Sequence, residues 1–545
     1  MSKLFFILLI TMYGLNLFGQ QATPEFTRFK YPIYPGERSA TSVIDVSKGN
    51  FTDLKVYLYY SSNKSKVEAG NCSYATAKTS KSSNRLTCEF IFPHKDYPTP
   101  NYGNIDLTAS QINSINTANW SAPPIPSTDK DPEIYNSKEV FYQWVCKYKS
   151  NGRQQTLKSD VKSFQMPRLL IIAYAGDSYA AGEGAPDGSS EKWIDDKCHR
   201  SEKSGGMRAI KKLISEHPEL GIRYINVTCS GAEIGDMTTA DVRTGWFGTA
   251  DWSRKAQLLQ IEEKLKKNNR NVVDIFLMSI GGNNAGFGPI GTSTFIAGTS
   301  NLSEVKSTVR NALQSLESGY VGLDKSIRGW GNFDVGRIVI MNYPDPTHLN
   351  SSTFCNPDIG GTNPFDCWGV VEKRISKVDF EYIYNNIVID LNKEIKKAAE
   401  KNDWDLVDIS SKARNNGLCD CESPYFNTIG QSMFVQGDIQ GTLHPNATGY
   451  KKIYQDEVCK QLLKSIDKWH DELKDEAIDE AKKKAKEKLK QKRLELAKKQ
   501  TNIQMISAEK SIKVFPNIVQ VKGVKPKLDL EDETPSKDKE LGNDD

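Results

Sequence analysis

Net charge is nearly absent from this 545-residue chain: 72 basic and 68 acidic side chains leave +4. No whole-chain field therefore points to nucleic acid or to an anionic membrane as a partner. Long apolar runs are also scarce. One follows Lys3 and extends from Leu4 to Phe18, and no later stretch approaches the roughly 20 residues needed to cross a bilayer, so no transmembrane segment is expected. That first run has the length of a signal-peptide core and is short for a membrane span. Gly19 then leads into polar Gln20 and Gln21, so residues 1–19 are predicted to be a signal peptide and the protein to be exported, to the periplasm or the exterior. No cysteine precedes Cys72, which leaves nothing for lipid attachment directly after the run. Histidine is sparse too, with six in the whole chain, so few candidates exist for a general base.

What is present excludes disorder as a whole. A composition 38% hydrophobic, 10% aromatic and 26% charged supplies sizeable cores, and the length suggests roughly three or four domains. Ten cysteines all lie beyond the signal segment. In an oxidising compartment they favour disulfides over metal thiolates, and Cys419 and Cys421 are too close together to act as a Cys-x-x-Cys zinc pair.

Residues 21–165 read as a β-rich domain. Leu86, Cys88, Phe90 and Phe92 alternate with polar neighbours, as do Val140, Tyr142, Trp144 and Cys146. Leu54–Tyr60 is another strand, and prolines 98, 100, 123, 124 and 126 mark loops or edges. A small β-sandwich is expected. Cys88 and Cys146 sit in phase on apolar faces, so a bond between them, or from either to Cys72, would pin two strands.

Residues 166–466 change pattern. Short apolar runs at Leu169–Ala173, Ile222–Val227, Val272–Ile280, Val335–Met341 and Trp404–Ile409 alternate with periodic helical stretches. These include Ala256–Leu265 and a long stretch carrying Val371, Ile375, Val378, Tyr382 and Leu391. Repeated strand then helix implies right-handed crossovers, a mostly parallel sheet and a three-layer α/β domain. Asn446–Ile466 closes it, with Tyr450, Ile453, Tyr454, Val458 and Leu462 on one stripe. Residues 467–545 are a charged helical stretch followed by a flexible tail, acidic at Asp471–Glu480 and basic at Ala481–Lys499. The apolar positions there are too irregular for a firm heptad, and nothing identifies a partner for the tail.

Chemistry concentrates at the predicted strand ends. The first strand runs into Gly176-Asp177-Ser178-Tyr179-Ala180-Ala181-Gly182-Glu183-Gly184. Ligand sites in parallel sheets lie at carboxyl ends of strands, which places Ser178 as a nucleophile candidate, the bland alternative being a helix N-cap. After the second strand comes Cys229-Ser230-Gly231-Ala232, where glycine lets a backbone N–H approach a substrate oxygen. After the third comes Gly281-Gly282-Asn283-Asn284, where an amide suits a developing oxyanion, although Asn-Asn beside Gly is also a common turn. Before the closing helix stands His444-Pro445. Of the histidines, His444 is the one placed for a loop to fold back over the strand ends and take the Ser178 proton. His199, in Cys198-His199-Arg200-Ser201, is a site-lining or structural candidate.

In that order, Gly-Asp-Ser at 176–178, Gly231, Gly-Gly-Asn at 281–283 and His444-Pro445 resemble the signature of the SGNH or GDSL hydrolases, over about Leu169 to Lys464. The stretch from Gly176 to Gly184, with Cys-His-Arg-Ser after it, looks most like secreted bacterial lipases and esterases of that group. The resemblance implies a flavodoxin-like sheet and acyl transfer from a carboxylic ester without metal or organic cofactor. Ser178 would be the nucleophile and His444 the general base and then acid. The Ser178 and Gly231 N–H groups, with the Asn283 amide, would form the oxyanion hole.

Two positions depart from the family. It usually has Asp three residues before the histidine, where this chain has Gly441. The orienting acceptor is then either the Gly441 main-chain carbonyl, which is favoured, or Asp438. Asn284 stands where the family often has Asp. The site placement makes Cys198–Cys229 a brace, with Cys355–Cys367 and Cys459 to Cys419 or Cys421 as further pairings. The substrate is expected to be an ester, an acyl lipid or an acetylated glycan. The alternatives are a glycan O-acetylesterase and a non-catalytic binding module that keeps a degenerate hydrolase domain.

Overall fold

A computed structural model describes residues 24–45, 52–61, 72–74, 85–91, 139–243, 252–287, 302–356 and 376–513, apart from short breaks within those ranges. The expected signal segment, the proline-rich stretch at 98–126, His94, Cys367, Cys421, Val371, Ile375 and the last residues of the tail lie outside them. The chain forms two compact units, Met1–Leu473 and Lys474–Asp545.

The first unit begins with two antiparallel sheets. One pairs Glu25–Lys30 with Ser39–Asp45 and that strand with Arg85–Ile91. The other is built on the long strand Glu139–Ser150, flanked by Thr52–Ser61, Arg153–Lys158 and Lys162–Gln165. The alternating runs read from the sequence are these strands. Lys162 of the second sheet sits 4.0 Å over the Phe29 ring of the first. The buried thiols of Cys88 and Cys146, one from each sheet, are near enough to act on one another, and burial pushes the first up to about 12. Contrary to the pairing expected, neither is in a disulfide.

The second half of this unit is a parallel sheet of five strands: β1 (Leu170–Gly176), β2 (Ile222–Asn226), β3 (Val272–Ser279), β4 (Asp334–Met341) and β5 (Asp405–Val407). Their spatial order is β2-β1-β3-β4-β5, the doubly wound arrangement in which the order reverses beside β1 and opens a crevice at the strand ends. Side chains of β1 alternate between two cores. Ile171, Ala173 and Ala175 face a cluster holding Leu258, Tyr320 and Ile395. Leu170, Ile172 and Tyr174 face another holding Met207, Tyr450 and Leu462. All six β1 residues are fully buried, as a strand covered on both faces requires.

The helices that cover the faces are α1 (Ser178–Ala181), α2 (Gly205–Glu216), α3 (Gln257–Lys267), α4 (Leu302–Arg328), α5 (Lys377–Ile383), α6 (Ile389–Lys401), α7 (Ile429–Gln436) and α8 (Gln455–Lys513). The predicted closing stripe is real, since Tyr450, Ile453, Tyr454, Val458 and Leu462 are all fully buried. Its helix runs without a break into the charged helical stretch expected from residue 467. α8 runs on to Lys513, with its first turns in the first unit and the rest in the second. Good helix formers carry it past the point where apolar periodicity ends. No described helix is long and apolar enough to cross a membrane.

Two clamps fix the base of the sheet. Arg168 donates twice to buried Asp274, at 2.7 Å each, and Trp469 Nε1 donates to the same carboxylate at 3.0 Å. Gly36, at φ +84°, lies against Leu170 so closely that a Cβ there would come within 2.6 Å of it. Its N–H donates to the Arg168 carbonyl at 2.8 Å, tying the β-rich region to the start of β1 in the parallel-sheet half. Two disulfides are formed among the described residues, Cys198–Cys229 and Cys355–Cys419. The second corrects the sequence reading: Cys355 pairs with Cys419 across 64 residues, and Cys459 remains a buried thiol. Connectivity follows spatial approach, which spacing along the chain does not encode.

Candidate active site

β1 ends at Gly176, whose φ of +131° and surroundings admit no side chain: a Cβ would lie 2.1 Å from the Ser279 carbonyl oxygen. Buried Gln257 brackets this residue, accepting from its N–H at 2.7 Å and donating to its carbonyl at 3.0 Å. The same carbonyl accepts from Cys229 N–H at 2.9 Å, and Asp177 N–H donates to Ser279 at 3.0 Å. The ends of β1, β2 and β3 are thus locked together around one glycine. Asp177, not Ser178, caps α1: its Oδ1 accepts from Tyr179 N–H at 3.1 Å. That leaves the Ser178 hydroxyl free for other work. Asp177 Oδ2 accepts from the Tyr343 hydroxyl, which in turn accepts from Gly282 N–H at 2.8 Å. Burial pushes the Asp177 carboxyl up to about 7 against these donors.

Ser178 and His444, 266 residues apart, meet here. His444 Nε2 lies 2.7 Å from Ser178 Oγ, and Ser178 is 8% exposed. The imidazole Nδ1 lies 3.1 Å from the Thr442 carbonyl. A carbonyl only accepts, so Nδ1 carries the proton and Nε2 is left to receive one. Tyr179 packs against the ring at a tilt of 41°, centroids 4.7 Å apart, and its hydroxyl donates to the Leu443 carbonyl at 3.0 Å. Burial lowers the His444 pKa below its ordinary 6.5, the Glu183 charge opposing it.

Thr442 differs from both expected orienting partners. The Gly441 carbonyl accepts the main-chain N–H of His444 at 3.1 Å. Asp438 Oδ1 instead accepts from Gln436 Nε2 at 2.5 Å and from Gln440 N–H at 2.8 Å. The physical reason is the turn. Leu443 adopts φ +65°, a left-handed conformation that costs roughly 1–2 kcal/mol for a side chain of its size. Leu443 N–H is held by Asn427 O at 3.0 Å. Gly441 has no room for the carboxylate seen at this position in the family pattern, because a Cβ would come 2.6 Å from Gln436 Oε1 and 2.9 Å from Ser432 Oγ.

Gly231 and Asn283 lie in the loops that follow β2 and β3, both half-buried. Gly231 turns at φ +75°. Asn283 Nδ2 donates to the Ala232 carbonyl at 2.9 Å, which bridges the second and third loops. Asn284 Oδ1 accepts from Ile234 N–H at 2.9 Å, so the departure from Asp keeps an acceptor there. Gly281, at φ +116°, sits against the Tyr320 hydroxyl, which donates to Ile280 O at 2.8 Å. The remaining described histidines are elsewhere: His217 on Glu219, His348 on Asp345, His470 on the Pro35 carbonyl. His199 lies beside Glu183 and not on Ser178. Among the described residues no three His, Cys, Asp or Glu side chains are grouped to hold a metal ion.

Sequence reading missed Thr442, Tyr343, Gln257 and Gln436. Only Gln257, a polar residue in an otherwise periodic helix, carried any signal.

The structure resembles an extracellular lipase from Streptomyces rimosus, at 22% identity and TM-score 0.38 over 54% of this chain and 99% of that one. It also resembles a phospholipase A1 from Streptomyces albidoflavus, at 18% and 0.35 over 54% and 99%. A family two carbohydrate esterase from Clostridium thermocellum gives 10% and 0.27 over 82% and 100%. No curated protein matches the chain. The profile of the GDSL-like lipase/acylhydrolase family matches residues 172–456, which takes in the Ser178 turn, both glycine-rich loops and His444. With that match running over just more than half of its length, the chain belongs to the GDSL-like lipase/acylhydrolase family.

Proposed function

We propose that this protein is an exported carboxylic ester hydrolase in which Ser178 and His444 act as a two-residue machine. The 2.7 Å approach of His444 Nε2 to Ser178 Oγ carries the reading. His444 takes the hydroxyl proton as the oxygen attacks the ester carbonyl, and the carbonyl oxygen becomes an oxyanion. The Ser178 N–H, first in α1 and without an intrahelical partner, the Gly231 N–H and the second amide hydrogen of Asn283 receive that charge. The imidazolium then protonates the leaving alcohol, and water, activated by the same imidazole, releases the acid from Ser178. The Thr442 carbonyl fixes the tautomer.

Two disulfides support an oxidising destination, consistent with the apolar segment at the start of the chain. Acyl lipid is the favoured substrate class over acetylated glycan. α7 leads directly into the His444 loop and exposes Met433, Phe434 and Val435, with Phe434 91% exposed, an apolar surface suited to an acyl chain rather than a sugar. The test is hydrolysis of acyl esters of increasing chain length beside acetylated oligosaccharides. Preference for the oligosaccharides would assign the glycan O-acetylesterase alternative, and turnover of neither would leave a binding module.

The pH profile follows from His444. Protonation as pH falls removes the base, and because burial lowers its pKa, the acid limb of kcat/KM should have an apparent midpoint below the ordinary value of about 6.5. Steady-state kinetics across the acid range measure it directly. Asp438→Asn is expected to cost less than about tenfold in kcat, since the carboxylate is not on the ring. A loss as large as that of His444→Ala would make Asp438 the orienting group.

A further inference from the structure

The Ser178–His444 pair lacks a carboxylate on its imidazole, yet a fully buried carboxylate lies close by. Glu183 sits in the turn after α1, between Gly182 and Gly184, at φ +96° and +88°. This turn is pressed against the histidine loop: a Cβ on Gly184 would meet His444 Cβ at 3.2 Å and the Pro445 carbonyl at 3.0 Å. The Glu183 oxygens accept from His199 Nδ1 at 2.9 Å, from Ser230 Oγ at 2.6 Å and from Gln436 Nε2 at 2.6 Å. The Gln436 amide is the group that fills the space beside Gly441 and also holds Asp438.

The partner is built as a cation site. His199 takes a left-handed φ of +46° and stacks flat on Trp193, centroids 4.5 Å apart at 3°, an arrangement that suits an imidazolium. The Cys198–Cys229 disulfide joins the residues immediately before His199 and Ser230, and Ser230 N–H donates to Cys198 O at 3.0 Å. One covalent bond therefore fixes two of the three donors to Glu183. A buried charge is costly, and a purely structural knot of this shape could be made from neutral groups.

We propose that Glu183 and His199 form a buried ion pair that acts as a positioning pair for His444, the Glu183 carboxylate supplying the negative charge that position 441 lacks. The inference rests on the reading of His444 as the base. In the resting protein His199 balances Glu183, and when His444 takes the Ser178 proton the nearby carboxylate favours the imidazolium. The shifts agree in direction. Burial would raise the Glu183 pKa, but His199, then His444 and Ser230, lower it from its ordinary value. Burial would lower the His199 pKa, but Glu183, with Asp438 and Asp196, raises it. The other groups near His444 are Tyr179 and, beneath it, Asp177.

The test is the titration midpoint of His444, read by imidazole 15N NMR in the intact protein without substrate. Glu183→Gln removes the negative charge and leaves His199 unpaired, so the midpoint should fall by about one unit. His199→Asn, a residue that tolerates the left-handed backbone, removes only the positive charge, so the midpoint should rise by a similar amount. Ser230→Ala removes a neutral donor and should move it little. A mere loop brace would not give shifts of opposite sign. Shifts of the same sign, or none, in folded Glu183→Gln and His199→Asn proteins would overturn the pair, and if Glu183→Gln does not fold, no rise in His199→Asn suffices. Ester turnover by the wild type is scored separately, so its absence would end the hydrolase reading without being mistaken for an answer about the pair.

Discussion

Ser178→Ala is expected to lower kcat for a short-chain chromogenic ester by about 10⁴–10⁶, the range set by removing a nucleophile from an acyl-transfer site. His444→Ala should cost nearly as much, because Ser178 Oγ has its proton acceptor at 2.7 Å in Nε2 and among the described residues no other base lies on it. The double variant should be no worse than either single one, since residues that act as a unit lose their function once. Folding should survive in both. Ser178 does not cap α1, a task done by Asp177, so its removal leaves no helix end unsatisfied. Thermal melting beside the kinetics separates lost chemistry from lost structure, and an Asp177 variant, by contrast, should lose stability.

Asn283→Ala should cost about 10²–10³ in kcat with a smaller change in KM, the loss that follows removal of one oxyanion donor. The effect belongs to the transition state because charge on the carbonyl oxygen is largest there. Part of the loss is geometric. Asn283 Nδ2 also holds the Ala232 carbonyl at 2.9 Å, so the alanine variant loosens the loop that carries Gly231. Asn283→Asp keeps the shape but replaces a donor by an acceptor, and should be at least as damaging. Single-turnover kinetics would place the loss in acylation, and KM rising alone would instead make Asn283 a ground-state binding residue.

Much of the fold was legible. Five apolar runs in the sequence are the five strands of the parallel sheet, displaced by a few residues at most, because strands buried on both faces show as unbroken apolar segments. Helix α4 was not singled out, and α8 was read as two pieces, a closing helix to Ile466 and a charged helix beyond it. The apolar stripe that marks a packed helix fades beyond Ile466, although helix propensity alone continues to Lys513. At the site, the side chains with distinctive chemistry were found and the supporting groups were not. A main-chain carbonyl such as that of Thr442 carries no residue-type signature, so the orienting role was assigned one residue too early, at Gly441. Glu183 stood inside the first motif, but His199, Ser230 and Gln436, the residues that give it meaning, come from three other stretches of chain. The Cys355–Cys419 bond was hidden for a similar reason, being set by where the loops after β4 and β5 meet in space.

Covalent trapping tests the nucleophile most directly. A fluorophosphonate ester reacts with an activated serine and leaves a phosphonylated oxygen that intact mass and peptide mapping can locate. One adduct per chain is expected, on Ser178, absent from Ser178→Ala and much slower to form in His444→Ala. An enzyme that hydrolyses esters while Ser178 stays unlabelled, or that takes the label on another residue, would contradict the assignment.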